Sequence, residues 1–132
     1  MKSLLVGLST FVLSLSILTF EASAFGRDDK WVSGWGQGIS EAIVTKGAGN
    51  SIYVTCGESY GRPGHTGVRF SLAGRSPSGS RITLTFDGED PEQIWIADGE
   101  ITSNCRACSG NYMYVFEKLK KHSSVHVLAA NG

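Results

Sequence analysis

The stretch VRFSLAGRSPSGSRITLTF, residues 68–86, contains the two clearest strand patterns of this chain. It contains two runs in which apolar and polar residues alternate, 68–72 and 82–86, and a Ser-, Pro- and Gly-rich segment separates them. A period of two residues is typical of strands that have one face in a core and the other toward solvent. The stretch therefore predicts two strands joined by a turn.

Shorter alternating runs flank this stretch on both sides. Residues 42–46 and 51–56 surround Gly47-Ala48-Gly49-Asn50, which predicts a hairpin with Ile52 and Val54 facing inward. Asp98-Gly99 predicts a tight turn between residues 94–97 and 100–103, and residues 125–127 predict a last strand. The segment 31–38 is too rich in glycine to predict a strand.

One amphipathic helix is predicted near the C-terminus. Asn111 is a favourable cap, and Tyr112, Val115, Phe116 and Leu119 follow with the spacing of one buried stripe. We therefore expect a mainly β (α+β) domain, an antiparallel sandwich or curved sheet with one C-terminal helix packed on it.

Residues 1–24 have the three parts of a cleavable signal peptide. Lys2 gives a positive start, residues 4–20 are mostly apolar, and Ala22-Ser23-Ala24 places small residues before Phe25. The apolar run is short for a membrane span and is interrupted by Ser, Thr and Gly. We therefore expect cleavage after residue 24, no membrane insertion of the remainder, and a periplasmic or secreted protein.

Composition restricts residues 25–132 to a single small β-rich domain. The chain has 12 basic and 12 acidic residues, and the leader removes one of each, Lys2 and Glu21. A neutral protein has no long-range field with which to gather nucleic acid. We therefore expect no nucleic-acid partner and a partner recognised at short range.

The three cysteines allow three pairings: Cys105 with Cys108, Cys56 with Cys105, or Cys56 with Cys108. Export favours a disulfide, and we favour the local bond between Cys105 and Cys108 as a structural one. Cys56 is then a buried strand thiol, or it has lost a partner if a C-terminal segment is absent. A C-x-x-C pair at a helix start also suits thiol-disulfide exchange, which is the alternative function, although the predicted helix starts beyond Cys108.

The segment from Cys105 to His126 resembles the C2H2 zinc-finger family, with Cys105, Cys108, His122 and His126 in ligand order. Its spacing has one residue too many between the aromatic residue and the leucine. Export favours oxidation of the two thiols, and residues 123–125 are poor helix formers. We therefore expect no metal and no other cofactor.

Exposed aromatic residues are the candidates for binding. If Ile94 and Ile96 face the core, Trp95 faces outward, and Tyr53 does the same on its own strand. The alternative is that Trp95 is covered by a loop or by the segment containing Trp31 and Trp35. The glycine-rich loop 57–67 is a second candidate surface, and its contact residues would be Tyr60, Arg62 and His65.

The order of a tryptophan-led β body, a cysteine pair, one helix and a closing strand resembles small exported bacterial proteins such as the invasion-associated locus B family. That resemblance concerns the layout, and no residue role is carried over. The sequence has no G-x-S-x-G, H-E-x-x-H or glycine-rich phosphate motif. We expect a non-catalytic protein that binds a protein or a surface glycan, with inhibition or masking of a protein as one such role.

Overall fold

The computed structural model describes residues 26–36, 38–57 and 66–129. These ranges form eight strands and one helix, which confirms a mainly β fold with a C-terminal helix. In chain order the elements are β1 (Val32–Gly36), β2 (Ile39–Thr45), β3 (Ser51–Gly57), β4 (Gly67–Ser71), β5 (Arg81–Phe86), β6 (Glu92–Trp95), β7 (Glu100–Thr102), α1 (Arg106–Lys121) and β8 (Val125–Ala129).

The strands form two antiparallel sheets of unequal width. One sheet has five strands in the order β1-β2-β3-β4-β7, and the other has three in the order β6-β5-β8. Apolar side chains from both sheets and from α1 meet in one core. Its fully buried side chains are Val68, Phe70, Ile82, Leu84, Phe86, Ile101 and Val115.

Both strands predicted within residues 68–86 are present, as β4 and β5. Val68 and Phe70 on β4 and Ile82, Leu84 and Phe86 on β5 are all buried, which confirms the predicted faces. The two strands belong to different sheets, so the segment between them carries the chain from one sheet to the other. One of the two strands therefore contributes to each side of the core.

The predicted hairpin of β2 and β3 is also confirmed. The two strands pair antiparallel from Thr45 opposite Ser51 to Ile39 opposite Gly57. Ile52 and Val54 are buried, and the side chains that alternate with them face the other way.

The turn at Asp98-Gly99 is present, but the strands on its two sides do not form a hairpin. Asp98 has φ 52° and Gly99 has φ 76°, so both residues adopt left-handed backbone. A side chain at Gly99 would bring Cβ to 2.8 Å from the Cβ of Ser76, which explains the glycine. Because β6 and β7 lie in different sheets, this turn is a second crossing between the sheets.

Two sequence predictions about element boundaries are wrong. Residues 32–36 form the edge strand β1 despite their glycines, because they pair with β2 over five residue positions. The helix begins at Arg106 and not near Asn111, because Cys105 caps its first turn: the Cys105 sulfur accepts a hydrogen bond from the Cys108 N–H. The predicted stripe is confirmed, since Tyr112, Val115 and Leu119 are buried.

Helix α1 closes one side of the two-sheet core. The Asn111 side chain donates to the Trp95 carbonyl oxygen at 3.0 Å, and Lys118 lies 3.4 Å from Glu92 at the other end of β6. The helix therefore runs antiparallel to β6 while its apolar stripe enters the core. It packs most closely against β7 and β4 of the larger sheet, and among the described residues it does not extend over β1.

Candidate functional site

All three tryptophans of the chain lie on the surface. Their exposed fractions are 43% for Trp31, 75% for Trp35 and 57% for Trp95. Tryptophan is on average strongly buried, whereas the core here is built mainly from Ile, Val, Leu and Phe. Exposed tryptophans are the side chains that most often contribute large binding energies at protein interfaces. They are therefore the first candidates for a binding surface.

Trp35 points to the inner side of the five-stranded sheet. Strand register places Trp35 opposite Ser40, and Ser40 opposite Cys56. Residues in one such cross-strand row point to the same side of a sheet. Cys56 packs against the core and shares a face with buried Val54. Trp35 therefore faces the side on which the core lies, and is nevertheless exposed.

The unequal widths of the sheets explain this exposure. Trp35 and Ser40 are exposed, whereas Cys56, one strand further in, is half-buried. Ser33 lies in the adjacent inward-facing row, opposite Ala42, and is also exposed. We call Ser33, Trp35 and Ser40 the open face. The sequence pattern alone did not predict it, and the only signal was the pair of tryptophans within the glycine-rich segment 31–38.

Trp95 forms a second exposed site, on the outer face of the smaller sheet. The Arg81 guanidinium lies 4.3 Å from the centre of its ring, and the Arg81 side chain donates to the Gln93 side chain at 3.1 Å. A cation this close to the face of an indole ring is attracted to it. Trp95 is exposed, as one of the two interpretations predicted, and it is not covered by Trp31 or Trp35.

Tyr53 does not share a surface with Trp95. It lies on the outer face of the larger sheet, so the two aromatic residues are on opposite sides of the molecule. The Tyr53 side chain is half-buried, and its hydroxyl donates to the Glu41 carboxylate. That hydrogen bond raises the pKa of Tyr53. Burial and the negative charge of Glu41 raise the pKa further. The hydroxyl is thus engaged within the protein.

The other three predicted contact residues, Tyr60, Arg62 and His65, lie outside the described residues. The strands on either side of their loop are joined at its base, because the Gly57 N–H donates to the Thr66 hydroxyl at 3.1 Å.

Cys105 and Cys108 form a disulfide, as predicted, with their Cα atoms 4.9 Å apart. Cys105 is the N-cap of α1 and is exposed, whereas Cys108 lies in the first turn and is half-buried. The prediction that the helix starts three or four residues beyond Cys108 is therefore wrong. A cysteine at this position is close to the positive end of the helix dipole, which stabilises a thiolate.

Cys56 is a free cysteine at the border between the core and the open face. Its sulfur lies 2.8 Å from the Tyr112 hydroxyl oxygen, and that hydroxyl is also 3.3 Å from the Thr55 carbonyl oxygen. Burial raises the pKa of Tyr112, and the contact with Cys56 raises it further. Because Tyr112 stays protonated and donates to Thr55, its oxygen can accept the Cys56 S–H.

The C-terminal end of α1 is held by charges rather than by a disulfide. Lys118 pairs with Glu89 and Glu92, and the His122 ring packs against the Phe86 ring at 5.3 Å. His122 also lies 3.1 Å from Glu89 through Nε2. These contacts raise the pKa of Lys118 and lower that of Glu89, mainly through the hydrogen bond that joins them.

The zinc-finger-like residues are not brought together. The two cysteines lie at the start of α1, His122 lies at its C-cap, and His126 lies on β8. A helix of 16 residues is about 24 Å long at the usual rise per residue. Over the described ranges, no three His, Cys, Asp or Glu side chains are arranged to hold a metal ion.

Nor does the described part of the chain include a helix with the length and apolar character needed to cross a membrane.

Comparison with known proteins identifies a family. A family model described as YfjT matches residues 29–132, a range that contains every strand and the helix. No significant match is found among curated proteins, and none among solved structures. The chain belongs to the YfjT family.

Proposed function

We propose that this chain is an exported, non-catalytic binding protein whose open face captures an extended segment of a partner protein. The observation that carries the proposal is the position of Trp35, a large aromatic side chain that is 75% exposed on the inner face of a sheet. Residues 1–24 support export, because they have the pattern of a signal peptide.

The strand that carries Trp35 is also an edge. β1 pairs with β2 on one side, and within the described ranges no strand pairs with its other side. An edge strand offers unpaired N–H and C=O groups to another chain in extended conformation. A partner strand added there would lay its inward side chains beside Trp35. Backbone pairing requires a peptide, which favours a protein over a surface glycan.

Affinity capture with the chain as exported, after removal of residues 1–24, tests this proposal. Trp35→Ala should weaken binding of the captured partner by about 2 kcal/mol or more, roughly 30-fold in Kd, because such aromatic anchors dominate interfaces. Trp95→Ala is the matched control, since it removes the same side chain from the outer face of the other sheet.

The two variants separate the possible outcomes. Loss of capture with Trp35→Ala alone supports the open face. Loss of capture with Trp95→Ala alone indicates that the binding site is on the smaller sheet. Unchanged capture by both variants contradicts binding through these tryptophans. Capture that survives protease treatment of the partner preparation indicates a glycan.

A second candidate function is thiol-disulfide exchange at the Cys105–Cys108 bond. It is favoured by the exposed position of Cys105 at the N-cap of α1, where the thiolate released on reduction is stabilised. The reduction potential of the pair tests it. A value of about −120 to −200 mV supports exchange, and a value below about −300 mV indicates a purely structural bond.

A further inference from the structure

We infer that Cys56 is an internal exchange partner of the Cys105–Cys108 disulfide, so that the protein has a second bonded state, Cys56–Cys108, with Cys105 free at the helix N-cap. An exchangeable Cys105–Cys108 bond, the second candidate function, is a requirement of this step. The chemistry takes place between three side chains of this chain and needs no other reactant.

Tyr112 places Cys56 beside the first turns of α1. The Cys56 sulfur is 2.8 Å from the Tyr112 hydroxyl oxygen. Tyr112 follows Cys108 by four residues, so the two side chains share one face of the helix. Long helical side chains lean back toward the N-terminus and cover the turn before their own Cα. The Tyr112 ring therefore covers the helix turn that contains Cys108, and the Cys56 thiol lies at the hydroxyl end of that ring.

The larger sheet gives the same placement independently. Cys56 follows Thr55, and Thr55, Gly67 and Thr102 form one row across β3, β4 and β7. Next to this row, the Ser103 hydroxyl donates to the Thr66 carbonyl oxygen at 3.1 Å, and Thr66 is bonded to Gly57. Cys105 lies two residues beyond Ser103, at the start of α1. All three cysteines thus lie at the same end of the larger sheet.

Burial indicates which sulfur of the disulfide is attacked. Cys105 is exposed, whereas Cys108 is half-buried and lies on the helix face that Tyr112 occupies. The Cys56 thiolate, after losing its proton to water, attacks the Cys108 sulfur. The Cys56–Cys108 bond forms as the Cys105–Cys108 bond breaks, and the electron pair leaves on Cys105. One disulfide and one thiol are present before and after, so nothing is oxidised or reduced overall.

The leaving group also favours this direction. In the observed state the Cys108 N–H donates to the Cys105 sulfur at 3.0 Å. The same N–H and the positive end of the helix dipole stabilise a thiolate on Cys105, and a stabilised thiolate leaves faster. The second state would present a reactive thiolate at an exposed position, where a thiol or disulfide of another protein can reach it.

Two single-cysteine substitutions in the full chain test the geometry. Cys105→Ser leaves Cys56 and Cys108, which should form an intramolecular disulfide in a glutathione redox buffer. Cys108→Ser is the matched control, because it leaves Cys56 and the exposed Cys105. We expect the bond in Cys105→Ser to form at least about tenfold faster, because Cys56 reaches the half-buried Cys108 sulfur more easily than the exposed Cys105 sulfur. Mass spectrometry after alkylation measures both rates, and circular dichroism checks folding.

A folded Cys105→Ser protein that keeps both thiols free overturns the inference, as does equal bond formation in the two variants. The unmodified chain provides a second measurement should either variant fail to fold. After brief incubation at pH 8 and alkylation, peptide mapping should find label on Cys105 together with a Cys56–Cys108 bond. Label confined to Cys56 overturns the inference.

A third variant keeps this result separate from the second candidate function. Cys56→Ser retains only the Cys105–Cys108 pair, whose exchange with glutathione reports that function alone. Exchange in Cys56→Ser without bond formation in Cys105→Ser refutes the internal partner and leaves the exchange function standing. No exchange in Cys56→Ser refutes the exchange function itself.

Discussion

Both halves of the five-stranded sheet are built from antiparallel strands whose side chains alternate between the two faces. They differ in what lies opposite the inner face. On β3 and β4, the inward side chains Val54 and Phe70 are buried by the smaller sheet and α1. On β1 and β2, the inward side chains Trp35 and Ser40 are exposed. The covered half therefore supplies stability, and the open face is available for binding.

This difference shows that facing inward and being buried are separate properties. Alternation along a strand decides the side to which a side chain points. Burial depends on the width of the opposite layer, which here has three strands against five. An aromatic residue can point to the inner side of a sheet and still be exposed because the opposite layer is narrow. Such a residue is a stronger indication of function than an exposed residue on an outer face.

Truncating one large aromatic residue in each half should give the largest difference in stability between the two halves. Phe70→Ala, in the covered half, should destabilise the fold by about 3–5 kcal/mol, because it leaves a cavity in a packed core. Trp35→Ala should change stability by about 0.5 kcal/mol or less, as is usual for a surface substitution. Urea unfolding followed by circular dichroism measures both values. A large loss for Trp35→Ala would mean that Trp35 is structural.

Two strand glycines give a smaller and geometrically defined contrast. At Gly67 on β4, an added Cβ would lie 2.9 Å from the Ile101 carbonyl oxygen and against the Glu100 side chain. At Gly36 on β1, it would meet no atom within 4 Å.

Gly67→Ala should therefore cost about 1–3 kcal/mol, as overpacking does. Gly36→Ala should be neutral or stabilise by up to about 1 kcal/mol, because alanine restricts the unfolded chain more than glycine does. The same urea titration compares them. Equal costs would show that the two halves are equally packed.

The smallest effect concerns pH and the charges that hold α1 over the covered half. The Ser124 N–H lowers the pKa of Asp87, and Lys118 lowers the pKa of Glu89. A carboxyl with a lowered pKa stabilises the fold above its ordinary pKa of about 4, and this contribution is lost as the pH falls through the lowered value.

The melting temperature should therefore fall below about pH 4, and fall less in Glu89→Gln, which lacks one of these carboxyls. Melting curves at about pH 3 and pH 6 measure the difference, with Glu117→Gln as an exposed control whose ion pair is with Lys120 on α1 itself. An identical pH dependence in Glu89→Gln and the unmodified chain would remove Glu89 from this role.

Local alternation made much of the core predictable from the sequence. Val68, Phe70, Ile82 and Leu84 were assigned to the inside because their neighbours are polar and the period is two. The sheet to which each strand belongs was not predictable, because β4 and β5 pair with partners that are distant in the chain. The open face depends on that pairing, and this is why Trp35 was not singled out.

The start of the helix illustrates a different limit. Asn111 is a favourable cap by residue type, but Cys105 occupies that position, and its side chain accepts the hydrogen bond from the Cys108 N–H. Residue propensity is a weak guide where a disulfide and tertiary packing fix the first turn. The helical position of the cysteine pair, which favours exchange chemistry, therefore emerged only from the structure.

Site-specific photo-crosslinking shows whether a partner protein contacts the open face. A photoreactive phenylalanine analogue would replace Trp35 in one variant of the chain and Tyr53, on the outer face of the same sheet, in another. A covalent adduct with a partner protein at position 35, and none at position 53, is the predicted result. An adduct at position 53 with none at position 35 would contradict binding at the open face.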